Sequence, residues 1–248
     1  MKKYIIYEIK NNLGNFMGVF FGFILPIFMT ILFYYVFKGQ VAGDVAGFGT
    51  QMVLQNLMMI PMALVLIGFS ATFSSEIEQG VTLRLVLLHY NHKKQILAKF
   101  IGQFLTVLFS IILFCTVCLC IIPMKTPNIQ ILISYIICFF LLIVLFYLLA
   151  YSIASLTRKF SSAFGITMGL YFAVMILSGM MGVETNQFPG AMRFFSNLLP
   201  TSQMTQIFPK VWDSHMNNAA PLIQSFLFIG GICGVLLLWT YKKNRRHS

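Results

Sequence analysis

The sequence predicts an all-α polytopic membrane protein with six transmembrane helices, and three observations carry that prediction. Its 248 residues are 58% hydrophobic and only 9% charged, with a mean hydropathy of +0.85, far from the balance of soluble domains. Six stretches hold no Lys, Arg, Asp or Glu: 11–37, 45–75, 100–124, 126–157, 160–183 and 214–241. Each exceeds the roughly 20 apolar residues that a spanning helix needs, and none alternates as the strand of a membrane barrel does. So few charges cannot coat a globule this rich in Phe, Leu, Ile and Met, so lipid must cover much of the surface.

The spans are placed at 17–37, 52–73, 97–122, 129–155, 163–181 and 220–241, within a single domain over 1–248. No cleaved signal peptide is expected, because the first apolar stretch starts well after Lys3, is too long, and lacks an A-x-A-like site. Basic residues accumulate on the cytoplasmic side of membranes. With both termini inside, 13 of the 17 Lys and Arg residues are cytoplasmic, and the outer loops keep Lys38, Lys125, Arg193 and Lys210. The net charge of +11 then reflects topology and attraction to anionic lipid, and no nucleic-acid partner is expected.

The spans lack the midplane charges of proton-coupled carriers and voltage sensors. The chain has no G-x-x-x-x-G-K-[ST] loop, no G-x-S-x-G and no H-E-x-x-H, so neither an ATP site nor a hydrolase is expected within it. Cys115 and Cys118 form a C-x-x-C spacing inside a span, and they read as small apolar residues rather than a metal or redox site. Gly14, Gly18 and Gly22, Gly165 and Gly169, and Gly230 and Gly234 recur at four-residue spacing. They are expected to let helices pack within the subunit, with a dimer seam as the alternative.

Residues 1–13 mix Tyr4, Ile5, Ile6, Tyr7 and Ile9 with Lys3, Glu8 and Lys10, as a helix in the membrane interface does. Residues 74–96 form the longest cytoplasmic feature, too long for a simple turn. A helix there would expose Glu76, Glu78 and Arg84 beside Leu83, Leu85, Leu87 and Leu88, a surface suited to docking. The outer segment 184–216, with Trp212 and several Phe residues, is expected to form short amphipathic helices.

The acidic, Gly-Thr-Leu-containing loop around Glu76, Glu78, Gly80, Thr82 and Leu83 resembles the cytoplasmic loop of ABC-2 type transporter permeases, the membrane subunits of ABC exporters. Leu177-Ser178-Gly179, then Pro189, Phe194, Phe195 and Leu199-Pro200-Thr201, follow in the order of that family. The loop departs from it at Val81, between Gly80 and Thr82, and at His89-Tyr90-Asn91, where many relatives carry a proline turn. The resemblance implies a permease of the cell membrane working with a separate ATP-binding subunit, two of each per exporter. ATP and Mg would bind the partner, and the permease itself would be no enzyme. It implies that Glu76, Glu78, Gly80, Thr82 and Arg84 form the ATPase-coupling site, with the 1–13 helix alongside. The cargo path would lie between two permease copies, identical or not, lined by apolar and Met-rich faces that suit a peptide, antibiotic, lipid or other amphiphile. A stand-alone carrier or channel, and a membrane immunity or scaffold protein, are the alternative functions.

Overall fold

The computed structural model describes residues 2–40, 43–81, 84, 92–180, 187–216 and 218–245. Among them every regular element is helical, and six helices are long and apolar enough to cross a bilayer. A short helix α1 (Lys2–Gly14) precedes the first span, α2 (Phe20–Gln40). The spans α3 (Val45–Glu78), α4 (His92–Ile121), α5 (Ile129–Thr157) and α6 (Phe160–Leu177) follow. Two shorter helices, α7 (Gly190–Leu198) and α8 (Pro200–Val211), come before the last span, α9 (Ala220–Arg245). The chain is an all-α multi-pass membrane protein.

The spans surround α3, whose most apolar stretch is entirely buried, whereas the other five are 22–44% buried there and turn their remaining faces outward. A helix apolar on every side belongs in such a centre. Met58, Met59, Ile60, Met62 and Leu66 of α3 are all almost fully enclosed. Met58, Met59 and Met62 thus pack the core of the subunit.

Two spans depart from regular α-helix, and α4 compensates both. Residues Met62–Phe69 of α3, just after Pro61, and Phe20–Ile24 of α2, just before Pro26, wind as π-helix. A π-segment shifts carbonyls out of the ordinary ladder, and in lipid such groups must find partners inside the protein. Gln103 donates from Nε2 to the Leu64 carbonyl at 2.6 Å, and Ser110 donates from Oγ to the Gly22 carbonyl at 2.6 Å. These α4 residues lie seven apart, on one helical face with buried Val107 and Phe114.

One end of the bundle, the terminal face, gathers α1 and the ends of α3, α5 and α9. The opposite, far face is closed by Lys125 from the α4–α5 loop. Its Nζ lies 2.8 Å from Asp44 and 3.0 Å from Asp213. The Trp212 indole donates to the Lys125 carbonyl at 3.1 Å, and the Lys125 amide donates to Thr50 Oγ1 at 2.9 Å. Beneath this clasp α7 and α8 form a hairpin whose polar side is buried and internally bonded. Ser178 and Thr201 hydroxyls meet at 2.7 Å, as do Ser196 and Ser202, and Thr205 donates to the Ser178 carbonyl. Residues 184–186 of the expected outer segment lie outside the described residues.

The glycine expectation needs correction. Gly22 does pack within the subunit, since a side chain there would overlap Leu64. Gly165, Gly169 and Gly234 face open space with nothing within 4 Å, because the sides of α6 and α9 that carry them point away from the bundle.

Two outcomes follow from these bonds. Gln103→Leu orphans the Leu64 carbonyl at membrane depth and should lower stability by about 1–3 kcal/mol, measured by unfolding in detergent, while Gln130→Leu on the exposed side of α5 is neutral. On the far face, the hydrogen bond from Lys125, then that from the Gly47 amide, holds the Asp44 carboxyl below its ordinary 3.8. The Lys125 bond does the same for Asp213. A depressed carboxyl pKa contributes stability above the ordinary value and loses it as pH falls through the depressed one. Trp212 emission, in a Trp239→Phe background, should therefore stay constant from neutral pH downward and shift only below 3.8, whereas Lys125→Ala shifts it at neutral pH.

Candidate functional site at the terminal face

Helix α1 wears its amphipathicity inside out. Glu8 and Asn12, one turn apart, are buried against the bundle, while Ile6, Tyr7 and Leu13 are exposed. A surface helix whose apolar side faces away from the protein suits lipid rather than water. Its close approach to α4 depends on Gly102, where a Cβ would come within 2.7 Å of the Glu8 Cβ. One turn further, Asn12 Nδ2 reaches Thr106 Oγ1 at 3.5 Å, while that hydroxyl donates to the Gly102 carbonyl at 2.9 Å.

Here Lys99 of α4 lies between two carboxylates from distant parts of the chain. Its Nζ is 2.8 Å from Glu8 Oε1 of α1 and 2.6 Å from Glu76 Oε1 of α3. The Lys99 and Glu8 side chains are each 11% exposed and that of Glu76 is 18% exposed, so water screens the cluster weakly. Burying charges costs free energy, and removing one partner of such a group is worse than removing all of them. Around the cluster, Tyr147 of α5 packs its ring on Phe69 and Phe100, with centroids at 4.4 and 4.7 Å, and donates from its hydroxyl to the Ile96 carbonyl at 3.4 Å.

Glu78 engages another element. Its Oε2 accepts from the Phe160 amide at 2.7 Å, at the start of α6, where the N-cap residue Lys159 supplies no side-chain cap of its own. A carboxylate at a helix N-terminus satisfies a free N–H and meets the positive end of the helix dipole. Glu76 and Glu78 thus join the end of α3 to α1, α4 and α6.

The chain then turns at Gly80, whose φ of +69° favours glycine and ends α3 in the manner of a helix C′ residue. Its amide donates to the Ile77 carbonyl, and its carbonyl accepts from the Arg84 amide at 3.1 Å. Arg84 is exposed, and Thr82 lies outside the described residues. Of the residues expected at the site, Glu76, Glu78 and Gly80 are brought together at the end of α3, with exposed Arg84 one turn beyond. Of the two acids expected to be exposed, Glu76 is instead largely enclosed against Lys99, whereas Glu78 is exposed and its carboxylate caps α6. Sequence reasoning counted Lys99 merely as a cytoplasmic charge and missed its pairing. The available signal was a lysine two residues inside the predicted 97–122 span.

Between α1 and the ends of α3, α4 and α6 lies a cavity of about 910 Å³, open to the surface. Tyr7, Asn11, Gln79 and Gln95 line it with the Glu8–Lys99–Glu76 cluster. The Gln95 side-chain nitrogen is buried there without a hydrogen-bond partner. Among the described residues no group of three or more His, Cys, Asp or Glu is placed to hold a metal ion. The site holds charges and joins helices.

A family model described as "ABC-2 family transporter protein" matches residues 43–242, most of the chain and all the spans after α2. No curated protein matches the chain.

Lys99→Met leaves Glu8 and Glu76 buried without their cation and should cost about 3–5 kcal/mol, seen as a lowered unfolding midpoint in detergent. Adding Glu8→Gln and Glu76→Gln removes the uncompensated charge and should recover most of the loss. If the triple variant were no more stable than Lys99→Met, the cluster would not be the source of the effect.

Proposed function

Because the chain belongs to the ABC-2 transporter family, a family of membrane permeases of the ABC transporter type, we propose that it forms the cargo pathway of an ATP-driven exporter and couples to a separate ATP-binding subunit. The observation that carries the coupling reading is the convergence at the end of α3. Glu76 bonds to Lys99 and so to α1 and α4, while Glu78 bonds to α6, immediately before the exposed turn from Gly80 to Arg84. A push on that turn reaches four helices through four side chains, Glu76, Lys99, Glu8 and Glu78. The contact with the ATP-binding subunit is assigned to Gly80, Thr82 and Arg84, with Glu76 and Glu78 carrying force inward rather than touching the partner directly.

On this reading the terminal face is cytoplasmic, both termini lie inside, and the membrane is that of the cell. Closure of the partner on ATP and Mg rocks the joined helices between inward- and outward-facing states. A second permease copy completes the path, and the outward faces of α6 and α9, with their open glycines, are available to it. The polar cavity beneath α1, beside an outward apolar helix face, favours a peptide, antibiotic, lipid or other amphiphile as cargo over a bare ion.

The test is gentle extraction of the tagged protein from its native membrane, with identification of what co-purifies and measurement of ATP hydrolysis. A stoichiometric ATP-binding subunit whose hydrolysis depends on the permease is expected. Glu78→Lys, which puts a cation at the N-terminus of α6, should cut ATP-dependent export at least tenfold while the partner still co-purifies. Co-purification of the permease alone under several mild detergents, or transport without ATP, would overturn the reading in favour of a scaffold or a stand-alone carrier.

A further inference from the structure

We propose that the α5–α6 turn and the end of α9 form a binding site for the phosphate-bearing head of an anionic phospholipid. Lys243 Nζ donates to the Leu156 carbonyl at 3.2 Å, which seats the basic end of α9 on the last turn of α5. There the chain reverses through Arg158, left-handed at φ 53°, whose amide donates to the Ala154 carbonyl. The reversal leaves Arg158 and Lys159 exposed. Lys242 is exposed as well, so four basic residues meet at one corner of the terminal face.

What marks this corner is the state of its three lysines. The two lysines in the ion clusters described above, Lys99 and Lys125, each hold two carboxylates. Among the described residues, Lys159, Lys242 and Lys243 pair with none. The one acid brought to the corner is Glu78, and its Oε2 accepts from the Phe160 amide.

The apolar half of the ligand site lies on the same helix. Val235, Leu238 and Trp239 are exposed on α9, and Lys242 follows four residues after Leu238 and three after Trp239, on the same face. This lipid-facing stripe therefore runs directly into the lysines. Trp at that depth and lysines snorkelling beyond it fit the boundary between acyl chain and headgroup. An acyl chain lies along the stripe while the phosphate bridges Lys242, Lys243 and Lys159. A free phosphate ion would use only half of this surface.

The site rests on the multi-pass reading of the fold and is independent of ATP coupling. Bound there, the lipid joins α9 to the turn that Glu78 caps, beside the proposed coupling path.

The experiment is native mass spectrometry of the permease released from bilayers of equal phosphatidylcholine and phosphatidylglycerol. The wild type should retain phosphatidylglycerol preferentially. Lys159→Gln, Lys242→Gln and Lys243→Gln together should abolish the preference, at about fivefold per lysine. The corresponding triple arginine variant should keep it, as should Lys210→Gln on the far face. Lys242→Gln alone, which breaks no side-chain hydrogen bond or ion pair among the described residues, should move retention in the same direction. Inorganic phosphate at equal concentration should leave the bound lipid in place. No preference in the wild type, equal retention by the triple glutamine variant, or displacement by inorganic phosphate would each overturn the proposal. None of these outcomes depends on whether an ATP-binding subunit co-purifies.

Discussion

The terminal half of the fold depends on one ammonium group held between two carboxylates. Lys99 reaches Glu8, 91 residues earlier, and Glu76, 23 residues earlier. Lys99 thereby gathers α1, α3 and α4 at one atom. In a membrane bundle, where apolar contact with a neighbour is no better than contact with lipid, such directional bonds fix which helices belong together. The geometry also explains the inverted face of α1, whose polar side must turn inward to complete the cluster, leaving its apolar side to lipid.

Helix α4 continues this work toward the membrane centre. Lys99, Gln103 and Ser110 lie along one side of it and serve, in turn, a charge cluster, a freed carbonyl in α3 and a freed carbonyl in α2. The π-segments are tolerated because those partners are in place. Irregular winding beside a proline lets a helix bend without breaking, and α2 and α3 are the spans that carry it. The far face is held differently, by exposed ion pairs around Lys125 that solvent screens and that contribute less individually. The protein is thus fastened firmly at the terminal end and lightly at the other.

Much of this was legible in the sequence. Charge-free stretches gave the six spans, because a membrane removes nearly all freedom in how a polar residue is placed. Basic residues gave the expected orientation, and the loop around Glu76 and Gly80 pointed to the family. What stayed hidden depended on which helices meet. Glu76 looks like a surface acid in a polar loop, and only the packing of α4 against α3 turns it inward onto Lys99, while Glu78 stays exposed and its role as the cap of α6 appears only once α6 is packed beside it. Lys99 looks like an ordinary flanking lysine until Glu8 is folded back onto it. The glycine spacings misled for the opposite reason: a four-residue repeat fixes a shared face, but not whether that face looks into the subunit or away from it.

The central claim is that α1 and the terminal end of α3 move as one body because Lys99 ties them together. Its most direct test is a spin-label distance between Tyr7→Cys and Gln79→Cys, in a background free of the five native cysteines, measured in nucleotide-free and ATP-bound states of the assembled transporter. The account predicts a distance constant to within about 2 Å, the scale of small helix adjustments, and a distance that broadens when Lys99 is replaced by Met. A larger change between nucleotide states in the intact protein would show that α1 slides over α3 during the cycle and would contradict the account.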